Sequence, residues 1–296
     1  MLPDILRETM TCRAATMESH YQAVQRVIQA MHEKMEESLS LRTMSRIAFV
    51  SPYHFNRVFR QITGIPPSQF LYALRLEAAK RLLLTTRLSV IEVCYTVGYN
   101  SLGTFTRRFT DLVGLSPTRL RTMAQFPINP MSFWTDRAES APGEQSGLAL
   151  NGEVSAPWDF EGMIFIGLFT SPIPQGMPVA CALINGPGQY SMSHLPEGHY
   201  YLLAAGLNLS GDPKEYFCYE SALRGGGQMI SINNGTVTGS PDLSLRLPAA
   251  FDPPILMTFP PLLAGHAWNK EAPLDLPGHP EQLEALSVAA TAADTV

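Results

Sequence analysis

Two segments of the chain repeat one pattern of residue types at an offset of 50 residues. They are "SPYHFNRVFRQITGIPP" (51–67) and "SLGTFTRRFTDLVGLSP" (101–117), with Ser, Phe, Arg, Phe, Gly and Pro at matching positions. The serine is a favoured helix N-cap, and a glycine followed by proline ends a helix. Each segment is therefore predicted to be one helix, and the repetition predicts that the same helical unit is built twice.

Each predicted helix has an apolar face and a polar face on a wheel of 3.6 residues per turn. Phenylalanines mark the apolar face in both copies: Phe55 and Phe59, Phe105 and Phe109. A shorter helix precedes each one across a tight turn, in "LRTMSRIAFV" and in "VIEVCYTVGY", and we align these at the same offset of 50. A helix, a tight turn and a second helix with an exposed polar face form a helix-turn-helix, whose second helix enters the DNA major groove.

In these segments the chain resembles the AraC/XylS family of bacterial transcription regulators. The resemblance covers roughly residues 20–123 and includes "YALRLEAAKRLL" and the closing "GYNSLGTFTRRFTDLVGLSPTRLR". It implies an all-α DNA-binding domain in which a long helix joins two helix-turn-helix units. About 17 residues at 1.5 Å each make a joining rod of about 25 Å. That length suits two recognition helices in successive major grooves, about 34 Å apart on one DNA face.

The resemblance also assigns candidate DNA contacts, residue by residue. The base-reading positions are Tyr53, Asn56 and Arg57 in the first unit, and Leu102, Gly103, Thr104, Thr106 and Arg107 in the second. Arg60 and Arg108 are better suited to phosphates. Arginine can bridge guanine O6 and N7, and asparagine can pair with adenine. Leu102 and Gly103 depart from the longer polar residues often found there, so the second unit is expected to read fewer bases by hydrogen bond.

For any exposed arginine, the alternative to a DNA contact is that the side chain is solvated and binds nothing. Arg57 and Arg107 occupy equivalent positions in the two copies, and this favours a function for both.

Charge divides the chain into two halves. The net charge is −5, yet residues 20–125 carry 14 Arg and Lys against 6 Asp and Glu, whereas residues 155–296 carry 4 against 13. The basic half is the candidate for phosphate contact. We predict two domains, all-α and then all-β: a double helix-turn-helix domain (20–123), a linker (124–156), a β-sandwich (157–265) and a tail (266–296). Residues 1–19 are expected to be loosely ordered.

The second half is typical of an antiparallel β-sandwich, because short apolar runs alternate with turn signals. About seven strands are expected, including "MIFIGLF", "HYYLLAAGL" and "ILMTF", and the Gly-rich "RGGGQ" (224–228) is predicted to be a hairpin connection. Gly188-Gln189-Tyr190 and the run from Leu195 to Tyr200 resemble a motif of transthyretin-like, carboxypeptidase-regulatory domains. This resemblance implies a fold more than a function.

The sequence contains little that supports catalysis, a metal or a membrane anchor. His194 and His199 are expected to flank a surface turn, and no nucleophile or third ligand can be placed beside them. The transthyretin-related hydrolases end in Tyr-Arg-Gly-Ser, which is missing. The cysteines lack a C-x-x-C pair and are predicted to be buried small side chains. Apolar runs are shorter than the roughly 20 residues that span a bilayer, and no leader pattern follows Met1.

We therefore predict a cytoplasmic, non-enzymatic transcription regulator without a cofactor. Its first domain binds double-stranded DNA, and its β-sandwich senses a small molecule. In the main alternative, the sandwich only dimerises or recruits a partner, and the protein is a constitutive DNA binder. An enzyme on the second half is a further alternative, opposed by the missing catalytic residues. RNA polymerase, an unidentified effector and a second copy of the chain are candidate partners.

Overall fold

The computed structural model describes residues 4–123, 148–158, 160–193, 195–208 and 217–258. Within these residues, helices come first and strands follow, and all of them belong to one compact unit. The helices are α1 (Asp4–Glu33), α2 (Leu41–Ile47), α3 (Pro52–Thr63), α4 (Pro67–Thr85), α5 (Val90–Thr96), α6 (Leu102–Val113) and α7 (Pro117–Met123). The strands are β1 (Leu150–Ser155), β2 (Met163–Phe169), β3 (Ala180–Asn185), β4 (Gly188–Met192), β5 (Gly198–Leu207), β6 (Leu223–Asn233), β7 (Thr236–Thr238) and β8 (Leu243–Ser244).

Serine caps begin the four helices that make up the two helix pairs, α2–α3 and α5–α6. The hydroxyl oxygen of each cap accepts a hydrogen bond from the amide three residues further on, and the caps are Ser40, Ser51, Ser89 and Ser101. Glu92 completes a capping box with Ser89. Helices α3 and α6 end at Gly64 and Gly114, which adopt the left-handed conformation at φ 80° and 96°. These ends lie where the sequence predicted them.

The alignment of the shorter helices, α2 and α5, differs from the prediction. Their caps, Ser40 and Ser89, are 49 residues apart, whereas the caps of α3 and α6 are 50 apart. The turn hydrogen bonds also repeat at 49, from Val50 N to Ser45 O and from Tyr99 N to Cys94 O. The second turn therefore contains one extra residue. Phe49 and Gly98, both at positive φ, are the equivalent left-handed residues of the two turns.

Helix α1 begins at Asp4, so the expectation of a loosely ordered stretch was wrong for the backbone of residues 4–19, while residues 1–3 lie outside the described residues. The stretch after Pro3 has no glycine or proline and consists mainly of residues compatible with a helix. The chain beyond α1 is held by Arg75 of α4, whose Nε and Nη2 donate to Met35 O and Glu37 O at 3.0 and 2.8 Å. The same guanidinium lies 2.8 Å from where a Cβ on Gly98 would stand.

Helix α4 joins the two helix pairs and is buried on most of its circumference. Ten of its 19 residues are buried, including Phe70, Leu74, Leu76 and Lys80. The rings of Phe55, Phe59 and Phe70 stack edge to face, with centroids 5.4 and 5.5 Å apart. A helix that is buried on several sides needs neighbours on each of them, and α4 contacts other helices and the sheet part.

The strands form two sheets, ordered β4-β1-β8 and β3-β2-β5-β6-β7. Neighbouring strands are antiparallel except for the β1–β8 pair, which is parallel. One core contains residues of both sheets, for example Val154 of β1, Ile166 of β2 and Leu202 of β5. A second core lies on the other face of the five-stranded sheet. Strand β2 is buried at every residue because both of its faces are covered.

Three details of the sheet part differ from the sequence predictions. Strand β1 lies inside the predicted linker, 124–156, because its apolar Leu150 and Val154 join the core between the sheets. The Gly-rich run 224–228 lies within β6 and forms a bulge opposite Leu202 and Leu203, where a Cβ on Gly226 would collide with Leu202 O. Residues 255–258 form no strand, and Leu256 and Met257 donate instead to Pro174 O.

The predicted order of a helical region followed by a β-rich region is confirmed. In the part of the chain that the structure describes, no helix is long and apolar enough to cross a membrane.

Candidate nucleic-acid interface

Helix α3 presents an exposed polar face opposite a buried apolar one. Tyr53 is 84% exposed, and Asn56, Arg57 and Arg60 are also exposed. The opposite face is formed by Phe55, Val58 and Phe59, all at most 4% exposed. The buried face fixes the rotation of the helix about its axis, so the four predicted DNA contacts of the first unit are accessible to a ligand.

Two histidines that the sequence analysis did not consider lie beside Arg57. The Nη2 atom of Arg57 is 3.3 Å from His54 Nδ1, and His54 Nε2 is 3.3 Å from Nε2 of His20 on α1. Burial lowers the pKa of His20, and the charges of His54 and Arg57 lower it further. A proton therefore binds His20 less readily than it binds a free imidazole, at a position beside α3. His20 and His54 are 34 residues apart in the sequence, so no local sequence pattern indicated that they would meet.

Helix α6 presents the second set of predicted contacts around its first turns. Leu102 is 37% exposed, Gly103 and Thr104 are exposed, and Thr106 is half-buried. The Arg107 side chain is 87% exposed and lies 3.9 Å from Asp111 in an ion pair. A surface pair of this length contributes little stability, so the Arg107 guanidinium can leave it to meet DNA.

Arg108 is exposed but is held against the helical part rather than extended into solvent. Its guanidinium lies 5.0 Å above the ring of Tyr72 on α4. Burial raises the pKa of the neighbouring Tyr99 hydroxyl, while the Arg108 charge acts in the opposite direction. Arg108 therefore combines a packing contact with its predicted phosphate role, a combination that the pattern of the repeat did not indicate.

This helical region matches known proteins. A family model described as a helix-turn-helix domain matches residues 44–123. The HTH-type transcriptional regulator GlxA of Rhizobium meliloti is 33% identical over 103 residues, which cover 35% of this chain and 32% of GlxA. The HTH-type transcriptional activator AarP of Providencia stuartii is 32% identical over 83 residues, covering 28% of this chain and 62% of AarP.

The bifunctional transcriptional activator/DNA repair enzyme AdaA of Bacillus subtilis is 28% identical over 99 residues, covering 33% of this chain and 47% of AdaA. The chain thus spans less than two thirds of each of these relatives. Among solved structures, the DNA-binding domain of AdpA in complex with a target DNA shares 28% identity, with a TM-score of 0.33, over 39% of this chain and 96% of that domain.

The exposed helix faces and the matched model define this region as a helix-turn-helix DNA-binding domain. Residues 44–123 are a domain of the AraC type, as the sequence predicted.

Proposed function

We propose that the protein is a sequence-specific transcription regulator whose two helix pairs read adjacent major grooves of one duplex. The observation that carries the proposal is the repeated presentation of a polar, arginine-bearing helix face, on α3 and on α6, each fixed by buried phenylalanines opposite. Two accessible arginines on matching scaffolds suit bidentate recognition of guanine.

In this proposal the predicted contact residues divide by chemistry. Tyr53 and Asn56 read bases with Arg57, and Arg60 contacts phosphate. On α6, Thr104, Thr106 and Arg107 read bases, while Leu102 and Gly103 allow close approach and apolar contact. Arg108 contacts phosphate. Helix α4 has 19 residues and is therefore about 28 Å long, which is close to the spacing of successive grooves.

The test begins with selection of bound sequences from random duplex DNA by the full-length protein. Arg57→Ala and Arg107→Ala are each expected to weaken binding to the selected duplex by about 1–3 kcal/mol, and each should relax specificity at a different half of the site. Arg87→Ala is the matched control, because Arg87 is an exposed arginine outside α3 and α6. If the electrophoretic mobility shifts of Arg57→Ala and Arg107→Ala are both unchanged, the proposed base contacts of α3 and α6 are contradicted.

For the sheet part we propose a sensor role at a polar cavity of about 510 Å³ beside β1 and β4, which is open to solvent and lined mainly by exposed side chains. The cavity is lined by the carboxylates of Glu153 and Asp242, the amides of Asn151 and Gln189, and the Ser191 hydroxyl. Paired acceptors and amides of this kind suit a polyol or an amine rather than an apolar molecule. Asp242 Oδ1 already accepts from Glu153 N at 3.0 Å, which fixes its position.

A thermal-shift panel of pentoses, hexoses and polyamines tests the sensor role. A true effector raises the midpoint by binding the folded state, and Asp242→Asn should remove that rise. If no probe raises the midpoint and the protein sediments as a dimer, the alternative of an association module is favoured instead.

A further inference from the structure

The sheet part is hydrogen-bonded directly to the end of the helix that carries Arg107. The last carbonyls of an α-helix have no partner within the helix. Gly176 N donates to Leu112 O at 2.7 Å, and both the amide and the hydroxyl of Thr258 donate to Val113 O at 3.1 Å. Thr258 is only 2% exposed, so water cannot readily replace it. The C-terminal end of α6 is thus completed by residues from the other half of the chain.

Two segments supply these donors, and they are bonded to each other. We call residues 171–176 the docking loop and residues 255–258 the docking segment. Leu256 N and Met257 N both donate to Pro174 O, at 3.0 and 3.2 Å. Because the segment is tied to the loop in this way, a displacement of either one is transmitted to both contacts with α6.

A second connection reaches α6 through the side chain of Tyr72. Its hydroxyl donates to Gln175 Oε1 of the docking loop at 3.4 Å, and the Arg108 guanidinium lies over its ring. Tyr72 therefore stands between the docking loop and a predicted phosphate contact on α6.

The docking segment is also anchored on α4. Lys80 is fully buried, and its Nζ donates to Ile255 O and to Phe217 O, both at 2.9 Å. Its ammonium group lies 2.9 Å from Glu77 Oε2 and 5.1 Å from the centroid of the Tyr219 ring. A buried ammonium needs all of these partners at once. These contacts therefore fix the position of the docking segment relative to α4.

We propose that Gly176 and Thr258 are positioning residues for DNA recognition by α6. They hold the C-terminal end of this helix in the orientation that presents Arg107 to bases. This inference rests on the proposed DNA-binding function and extends it, because it makes the sheet part a determinant of half-site affinity. Of the bonds described above, those that join the sheet part to the helical part end on α4 or α6, and none of them ends on α3. The half-site read by α6 is therefore the one whose recognition depends on docking.

Two variants disturb the docking in different ways. Thr258→Val removes one hydrogen bond to Val113 O and nearly preserves side-chain shape. Gly176→Ala places a Cβ 3.2 Å from Asp111 O of α6, at a residue with φ 64°. The matched controls are Thr238→Val, whose hydroxyl donates to Ser231 O, and Gly235→Ala, which has φ 70° and no atom within 4 Å of the added Cβ.

The readout is the affinity of the full-length protein for three duplexes: the selected site, and the site with either half scrambled. Arg107→Ala identifies the half read by α6. The two docking variants are expected to bind the intact site about fivefold or more weakly than the wild type does. Their affinity for the duplex with a scrambled α6 half should equal that of the wild type. Scrambling the other half should weaken their binding by nearly the same factor as it weakens wild-type binding. The controls are expected to behave as the wild type does.

The inference is overturned if Thr258→Val and Gly176→Ala retain the wild-type half-site profile, with thermal unfolding establishing that they are folded. If Gly176→Ala does not fold, Thr258→Val alone decides. A uniform loss at both halves also overturns it, because that result indicates general destabilisation. Wild-type protein that selects no sequence refutes the proposed function itself, which is a different outcome from selection with an unchanged profile.

Discussion

Replacing Lys80 with methionine should strongly destabilise the protein. The change keeps the length of the side chain but removes an ammonium group that is completely buried. It leaves two carbonyl oxygens, of Phe217 and Ile255, without their donor and leaves the Glu77 carboxylate, 12% exposed, without its cation. Breaking a buried pair from one side typically costs about 3–5 kcal/mol. We expect a loss of that size in the free energy of unfolding.

Urea denaturation followed by far-ultraviolet circular dichroism measures this loss. The matched control is Arg81→Met, one residue further along α4. Its ion pair with Glu220 has a similar length, 3.2 Å, but the two side chains are 58% and 62% exposed, so the expected cost is at most about 1 kcal/mol. Lys80→Met combined with Glu77→Leu should recover part of the loss, because the unpaired charge is then absent. A Lys80→Met protein within about 1 kcal/mol of the wild type would refute this account of the junction.

Three further changes test other parts of the structure. Gly64→Ala should cost about 1 kcal/mol for left-handed backbone alone, whereas Gly98→Ala should cost at least about 2 kcal/mol more by calorimetry, because its Cβ meets packed atoms. Burial raises the pKa of Asp252, but hydrogen bonds from Arg246 and the backbone outweigh it and lower the pKa overall. Its stabilising contribution should be complete above the unfolded-state pKa and lost as pH falls through the folded-state pKa, and Asp252→Asn should flatten that decline in urea titrations. The lowered pKa of His20 means that the folded state favours the neutral ring, so stability should fall as pH drops below the unfolded-state value of about 6.5, and less so in His20→Asn.

Much of the helical part followed from local signals in the sequence. Serine caps, left-handed glycines and the four-residue spacing of phenylalanines act within one helix or one turn, so they are readable without knowing the tertiary structure. The exposed faces of α3 and α6 followed from the same periodicity. The 49-residue spacing of α2 and α5 was missed because the two short helices show an apolar pattern whether they are aligned at an offset of 49 or of 50.

The junction between the two halves could not be predicted in the same way. Lys80 lies in a helix where a lysine would ordinarily be expected at the surface, and its acceptors are 137 and 175 residues away. The run "ILMTF" was predicted to be a strand because its apolar residues suit one, yet residues 255–258 pack beside the docking loop instead. Partners so distant in sequence leave no periodic signal, so only the packed structure reveals them.

The docking segment at 255–258 has a consequence for the order in which the protein matures. Because the ribosome makes α6 well over a hundred residues before Thr258, the nascent helical region has time to form while Val113 O still lacks its late donor. A chain arrested between these points would possess both arginine-bearing helices, but the second would have a frayed end. Synthesis of the chain through Thr258, rather than formation of the helices, would then mark the moment when α6 acquires its final orientation.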